Sequence, residues 1–150
     1  MKSLYPPIIP YNEFNMKVSD LHTIYVEESG NKSGKPIMLK RHYGSSLRDW
    51  LGAAEYILVE GNEKVILCER GVSTPHTHRA SSRFLLDLQV IPAAKELTHL
   101  PVVVDPSHAT FWRPWVAPMA LAGIACGSDG IMIEVHPDPD NASVDPLQPM

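Results

Sequence analysis

Four short apolar runs of the sequence end in charged or metal-competent side chains. The runs read PIMLK, KVILCE, PVVVD and GIMIEV, and the polar residues at or just past their ends are, in chain order, Lys40 and Arg41, Glu69 and Arg70, Asp105, Ser107 and His108, and Glu134 and His136. At a single strand end, such a residue is most simply a solvated boundary. Because all four ends carry one, and because cations are mixed with groups that bind metals, the pattern favours a binding site.

Two kinds of ligand fit these residue types. His108 and Glu134, together with Asp145 farther along the chain, offer one imidazole and two carboxylates. This set suits a divalent ion of manganese, iron, cobalt or zinc, and it differs from a thiolate-rich structural zinc site. The fixed cations that can hold a phosphate or carboxylate are Lys40, Arg41 and Arg70. A metal beside such cations fits an enzyme that polarises a carbonyl while it grips a phosphorylated substrate.

Helical segments separate the apolar runs and must position their ends. In SSLRDWLGAAEYILVEGN, a serine can cap the first turn and Gly61 can end the helix. The residues on its apolar face are Leu47, Leu51, Ala54 and Leu58. Two further helices are predicted in DLQVIPAAKELTHL and RPWVAPMALAGIACGSDG. Since apolar runs without polar alternation are typical of buried parallel strands, the sequence predicts an α/β fold of repeated βα units whose strand ends share one rim.

The bulk composition limits the function classes. The chain has 150 residues, 44% hydrophobic and 20% charged, which is enough for one core of ordinary size. Its formal net charge of -4, without a basic run, argues against nucleic acid or an anionic membrane as the main partner. The opening MKSLYPPIIPYNEF lacks the apolar region of a secretory signal and no run is long enough to span a bilayer, so we expect a cytoplasmic protein. Cys68 and Cys126 are expected to be reduced core thiols.

Long motifs from about residue 34 to the end of the sequence resemble one enzyme family. They read GKPIMLKR, AAEYILVEGNEKVILCERG, LDLQVIPAAKELTHLPVVVDPSHAT and APMALAGIACGSDGIMIEVHPDPDNASVD. In this order they are similar to the second half of 3-deoxy-7-phosphoheptulonate synthase (DAHP synthase), in the subgroup related to 3-deoxy-octulosonate-8-phosphate synthase. The resemblance implies about half of a (β/α)₈ TIM barrel. It also implies the metal-dependent condensation of phosphoenolpyruvate with erythrose 4-phosphate at the entry to the shikimate pathway.

The resemblance assigns roles to residues of this chain. It implies that the metal ligands are His108, Glu134 and Asp145, with Mn²⁺ as the expected ion and Fe²⁺, Co²⁺ or Zn²⁺ as alternatives. The residues implied to bind substrate are Lys40, Arg41, Arg70 and Arg113. Those implied to line the reaction site as catalytic groups are Lys40, Glu69 and His136.

The chain departs from the family pattern at several places. The first half of the barrel, with its cysteine metal ligand and its KPR substrate loop, has no counterpart here. His42 stands where the family has a glycine after LKR, and Ser73 replaces an arginine after CERG. Of the paired arginines that follow SHAT in the family, one is Trp112 and the other remains as Arg113. These changes remove anion-binding groups and about half of the wall of the site.

The N-terminal segment has a different relative. Residues 1–36 resemble the opening of proline iminopeptidases, whose nucleophile elbow and catalytic triad have no match in this chain. We therefore predict an extension over residues 1–36, with LHTIYVEE as an antiparallel strand, and a partial barrel domain over residues 37–150. No peptidase activity is expected.

Two readings of the function remain open at this point. The first is a DAHP-synthase-type enzyme by descent. The second is a non-catalytic half-barrel that binds a metal or phosphate, since four strands cannot close a barrel and their exposed edges need partners. Either reading favours a homo-oligomer or complementation by another fragment. His76 and His78, in PHTHR, have a spacing that can bind a metal, but a solvated loop is expected there, and His22 and His99 are expected to be structural.

Overall fold

The structure is a computed structural model that describes residues 12–17, 23–28, 35–76, 78–79 and 84–150. Its strands are β1 (Asn12–Lys17), β2 (Thr23–Glu28), β3 (Ile37–Lys40), β4 (Val65–Glu69), β5 (Val72–Ser73), β6 (Phe84–Leu85), β7 (Val102–Val104) and β8 (Gly130–Ile131). Its helices are α1 (Leu47–Val59), α2 (Val90–Leu97), α3 (Pro106–Thr110) and α4 (Arg113–Ala125), with a 3₁₀ turn at Pro139–Asn141. His22 lies outside the described residues.

Four strands form one parallel sheet in the order β3-β4-β7-β8. Leu39 of β3 is opposite Leu67 of β4, which is opposite Val102 of β7. At the far side of β7, Val103 is opposite Gly130 of β8. Each strand of this sheet is separated from the next by a helical segment, so the predicted α/β class with parallel strands is confirmed. A separate antiparallel pair, β1 with β2, contains the strand that was predicted in LHTIYVEE.

The last strand is shorter than the sequence predicted. GIMIEV was expected to be a strand, but β8 contains only Gly130–Ile131. The amide of Met132 still donates to the carbonyl of Val104 at 2.8 Å, and the ladder then ends. Beyond it the chain pairs with its own last residue instead, because the amide of Met150 donates to the carbonyl of Glu134 at 3.0 Å and the amide of His136 donates to the carbonyl of Met150 at 3.1 Å.

Helix α1 begins and ends as its sequence predicts. The hydroxyl of Ser46 accepts the amide of Asp49 at 3.2 Å and the Asp49 carboxylate accepts the amide of Ser46 at 3.0 Å, which is a capping box. Gly61 follows the helix with a φ of +84°, a conformation that favours glycine. On the buried face, Trp50 donates its indole N–H to the carbonyl of Leu39 at 3.1 Å and so ties α1 to β3.

Helix α4 lies against β7 through a glycine. A Cβ atom at Gly123 would stand 2.6 Å from Cγ2 of Val104, so the absence of a side chain sets how closely helix and strand approach. Pro114 lies in the first turn, where no amide donor is needed, whereas Pro118 falls inside the helix. The fully or nearly fully buried core residues are Trp50, Ala54, Val65, Leu67, Val90, Ile91, Ala94, Leu100, Val102 and Val104. This core lies between the sheet and helices α1 and α2.

The loop after β4 contains more structure than expected. The sequence predicts a polar loop from Gly71 to about Leu86, but β5 and β6 pair there as a short antiparallel ladder. Gly71 has a φ of +97°, and a Cβ on it would lie 2.8 Å from Cβ of Phe84, so this turn requires glycine. Within the described ranges, no helix is both long and apolar enough to cross a membrane.

Candidate functional site

The parallel sheet brings the carboxyl ends of its strands to one edge. Lys40, the last residue of β3, is opposite Cys68, and Glu69, the last residue of β4, is opposite Val104 of β7. The residues that follow β7 and β8 therefore lie beside those that end β3 and β4. The sequence-based expectation that these ends share one rim is met for the described residues, and the side chains on this rim form the candidate site.

A line of charged contacts crosses this rim from β3 to the end of β7. The Lys40 ammonium lies 2.7 Å from Oδ2 of Asp105, and the same oxygen lies 2.8 Å from Nδ1 of His108. The other carboxylate oxygen of Asp105 accepts the backbone amide of His108 at 3.0 Å and begins helix α3. A carboxylate beside Nδ1 favours a proton on that nitrogen, which leaves the lone pair of Nε2 for another partner.

Glu134 lies on the Nε2 side of His108. Nε2 of His108 lies 3.5 Å from Oε2 of Glu134, so two of the three predicted metal ligands come together. The hydroxyl of Ser107 accepts the backbone amide of Glu134 at 3.1 Å, which fixes the chain beyond β8 against helix α3. Both Asp105 and Ser107 were recognised in the sequence as strand-end residues, but neither was assigned this positioning role.

Asp145 does not join His108 and Glu134 in a group of ligands. In the part of the chain that the structure describes, no three His, Cys, Asp or Glu side chains are grouped so that they could hold a metal ion. The backbone of Asp145 is left-handed, with a φ of +47°, and its carbonyl accepts the amide of Gln148 at 3.0 Å. The role of Asp145 as a metal ligand stays a prediction.

Gln148 contacts Glu134 instead, and sequence reasoning missed it. Its side-chain Nε2 donates to Oε2 of Glu134, and the residue is fully buried. Glutamine is mostly exposed in proteins, so the residue type alone does not predict that Gln148 is buried at this site. Nothing in the spacing of the sequence signals it, apart from its position three residues after a predicted ligand.

Arg41 and Glu69 lie under the rim in a buried ionic network. Nη1 of Arg41 is 3.1 Å from Oε2 of Glu69 and 2.8 Å from Oδ2 of Asp87, and Nε donates to the carbonyl of Ser45 at 3.0 Å. The second oxygen of Glu69 accepts the amides of Gly71 and Asp87. Burial raises the pKa of the Glu69 carboxyl above its ordinary value, and these hydrogen bonds oppose the shift only in part.

The two remaining predicted anion ligands also have partners within the chain. The guanidinium of Arg70 lies 4.6 Å from the centre of the Phe84 ring, a cation–π contact. Arg113 pairs with Asp140 at 3.0 Å and donates to the carbonyl of Pro146 at 3.0 Å. Arg113 thus holds the segment that carries Gln148. The substrate-binding roles of these arginines, and of Arg41, stay predictions.

The three other histidines considered as site residues, His76, His78 and His136, form no group of metal ligands with His108 and Glu134 among the described residues. Nδ1 of His136 is 2.7 Å from the carbonyl oxygen of Asp138 and 3.1 Å from its amide, and its catalytic role stays a prediction. His76 and His78 are exposed, and the solvated loop expected around them stays a prediction. Cys68 is buried, which raises its thiol pKa to about 12 and fits the packing role expected for it.

Comparisons with known proteins identify the family. The model of the DAHP synthetase I family matches residues 21–150. The phospho-2-dehydro-3-deoxyheptonate aldolase of Thermotoga maritima is 43% identical over 114 residues, which cover 76% of this chain and 33% of that protein. A 2-dehydro-3-deoxyphosphooctonate aldolase of Desulfotalea psychrophila is 30% identical over 125 residues and covers 76% of this chain and 42% of its own length.

A solved structure of this family is also similar in fold. The crystal structure of the Thermotoga maritima phospho-2-dehydro-3-deoxyheptonate aldolase (DAHP synthase) matches 77% of this chain with a TM-score of 0.72 and 42% identity, but only 33% of that protein is covered. The predicted partial α/β barrel is therefore confirmed, and the chain spans about a third to less than half of the length of the relatives it matches. The boundary predicted at residue 36 and the iminopeptidase-like origin of residues 1–36 stay predictions. The chain belongs to the DAHP synthetase I family.

Proposed function

We propose that this chain carries the metal- and phosphoenolpyruvate-binding half of a DAHP-synthase-type active site. In this proposal, the condensation of phosphoenolpyruvate with erythrose 4-phosphate takes place once a second copy or another fragment completes the barrel. The observation that carries the proposal is the continuous line of contacts from Lys40 through Asp105 and His108 to Glu134. This line joins a predicted substrate ligand on β3 to two predicted metal ligands beyond β7 and β8.

The residues present fit a divalent cation. His108 and Glu134 would hold it, with Asp145 as the further ligand that the family resemblance implies, and Mn²⁺ is the expected ion. The Oε1 atom of Gln148 is buried and has no hydrogen-bond partner among the described residues. Buried polar atoms usually have a partner, so this atom supports the proposal that a cation binds here. When bound, such an ion supplies Lewis-acid polarisation of the aldehyde carbonyl.

The protein's own groups would bind and orient the substrates. In this proposal the Lys40 ammonium and the Arg70 guanidinium hold the carboxylate and phosphate of phosphoenolpyruvate. Asp105 contacts both Lys40 and His108 through Oδ2, so it links the proposed substrate cation to the proposed metal ligand. Arg41 contributes from below by holding the ends of β3 and β4 together through Glu69.

The open edges of the sheet support assembly. Within the described sheet, β3 and β8 each have a strand on one side only. Large apolar side chains on these outer strands, those of Ile37, Met38 and Ile131, are more than a third exposed. Since unpaired strand edges readily pair with another chain, a second copy or a complementary fragment fits these edges. A non-catalytic half-barrel that binds metal or phosphate and self-assembles is the alternative that the same edges favour.

The enzyme proposal is tested by consumption of phosphoenolpyruvate with erythrose 4-phosphate and Mn²⁺. We expect turnover by the wild-type chain, loss of turnover in His108→Ala, and wild-type turnover in the control His99→Ala, which changes an exposed histidine on the α2–β7 connection. Equal activity in His108→Ala would refute the site. Absence of activity in a self-assembled wild-type chain that still retains Mn²⁺ would favour the non-catalytic half-barrel.

Assembly is tested separately by size-exclusion chromatography with light scattering. We expect a mass of two or more chains across a dilution series. A strictly monomeric, folded chain would count against self-assembly and would leave complementation by another fragment as the remaining route to a closed barrel.

A further inference from the structure

Gln148 has a buried side chain that contacts the candidate metal site. The residue is 0% exposed, and its amide nitrogen donates to Oε2 of Glu134, the same oxygen that faces His108. The amide oxygen, Oε1, is also buried and has no hydrogen-bond partner among the described residues. A buried acceptor without a partner is unfavourable, so its presence calls for a physical reason.

The backbone around Gln148 holds the amide at this position. Its own amide donates to the carbonyl of Asp145 at 3.0 Å, and the amide of Met150 donates to the carbonyl of Glu134 at 3.0 Å. On the other side, the backbone amide of Arg113 donates to the carbonyl of Leu147 at 2.7 Å. The contact with Glu134 is therefore made by a residue whose backbone is hydrogen-bonded before and after it in the chain.

A half turn of the terminal amide exchanges its oxygen and nitrogen with almost no change in shape. In the orientation of this structure, the amide nitrogen of Gln148 faces the Glu134 carboxylate. After the half turn, Oε1 would face the carboxylate oxygen. Two acceptors repel each other unless a cation lies between them, and amide and carboxylate oxygens are suitable ligands for hard divalent ions such as Mn²⁺.

We infer that Gln148 is a ligand of the divalent cation, with His108 and Glu134, and that its amide reverses when the ion binds. The inference rests on the proposed function, because it concerns the same metal site. It goes beyond that proposal, since Gln148 is not among the ligands implied by the family resemblance. Cation binding then gives the buried Oε1 atom the partner that it lacks here.

The test measures Mn²⁺ binding to the full chain, using the electron paramagnetic resonance signal of free aqueous Mn²⁺. Gln148→Met keeps the length of the side chain but removes the oxygen, whereas Gln148→Glu keeps an oxygen on either face. Gln89→Ala, at the exposed residue before α2, is the matched control because its side chain makes no capping hydrogen bond. We expect Gln148→Met to weaken Mn²⁺ binding about tenfold or more. Gln148→Glu should bind at least as tightly as the wild type, and Gln89→Ala should be unchanged.

Other outcomes overturn the inference in distinguishable ways. If Gln148→Met binds Mn²⁺ as tightly as the wild type, or more tightly, while His108→Ala loses it, the metal site stands and the amide only covers Glu134. If His108→Ala keeps wild-type affinity, or if the wild type binds no Mn²⁺, the metal site of the proposed function fails together with the role of Gln148. Near-ultraviolet circular dichroism verifies that each variant is folded. Should Gln148→Met not fold, weaker binding by Gln148→Glu would by itself overturn the inference.

Discussion

Arg41 and Glu69 form a buried ion pair between the ends of two neighbouring parallel strands, with Nη1 of the arginine 3.1 Å from Oε2 of the glutamate. Arg41 was predicted from the sequence as an anion ligand and Glu69 as a catalytic group. In the structure the guanidinium also pairs with Asp87 and lies 5.9 Å from the centre of the Trp50 ring. Through these contacts the pair holds together the strand ends that carry the candidate site.

Removing the cation of this pair should destabilise the fold. Arg41→Met leaves the Glu69 carboxylate buried without its counter-ion, and we expect the free energy of unfolding at pH 7 to fall by about 3–5 kcal/mol. Adding Glu69→Gln should recover much of this loss, because the buried charge is then gone. Urea unfolding measures both, with Arg48→Met on the exposed face of α1 as a control that changes stability by less than about 0.5 kcal/mol. A double variant no more stable than Arg41→Met would argue against the pair.

The raised pKa of Glu69 predicts a pH dependence of stability. Because burial raises this pKa above its ordinary value of 4.5, the folded state binds the proton more tightly than the unfolded state does. The stabilising contribution of this group is fully present below the ordinary pKa and is lost as pH rises through the folded one. The free energy of unfolding of the wild type, minus that of Glu69→Gln, should therefore decrease with rising pH across this window. A constant difference would show that the folded pKa is not raised.

Two glycines in helices should respond oppositely to alanine. At Gly123 a Cβ would meet Cγ2 of Val104 at 2.6 Å, so Gly123→Ala should lower the free energy of unfolding by about 1–3 kcal/mol. At Gly52 in α1 a Cβ would meet nothing within 4 Å, and Gly52→Ala should raise it by about 0.5–1 kcal/mol. Thermal and urea unfolding measure both. If Gly123→Ala is harmless, or if Val104→Ala fails to rescue it, the close approach of α4 to β7 is not what limits this position.

Most of the fold was predictable because its signals are local. The apolar runs predict the strands, and a serine followed by a helical face predicts the start of α1. The predicted burial holds for β4 and β7, whereas β3 and β8 are more exposed because each has a neighbouring strand on one side only. The shortened β8 was not predictable in this way. Its apolar residues continue to Ile133, but the partner that ends the ladder is Met150, which is 20 residues beyond Gly130 in sequence.

The sequence predicted several of the residues that lie at the candidate site, but not the contacts between them. Residue types at strand ends identified His108 and Glu134, because parallel strands necessarily bring their ends together. They could not show that Arg41 is used internally, since an arginine at a strand end has the same type and spacing whether it binds substrate or Glu69. Gln148 was missed because an uncharged residue after the last strand carries no signal until the chain is folded.

Arg113 offers a test of how the segment carrying Gln148 is held. Its guanidinium binds Asp140 and the carbonyl of Pro146, so Arg113→Met should let residues 146–150 open more often while their backbone bonds remain possible. We expect the amides of Gln148 and Met150 to exchange with deuterium about tenfold faster. Global stability should change by less than about 1 kcal/mol, because the ion pair is partly exposed. Lys95→Met, which removes a comparable exposed pair with Asp129, should leave those two amides unaffected. Unchanged exchange in Arg113→Met would mean that the backbone bonds alone hold the segment, and Arg113 would then be free to serve as the anion ligand that the family resemblance implies.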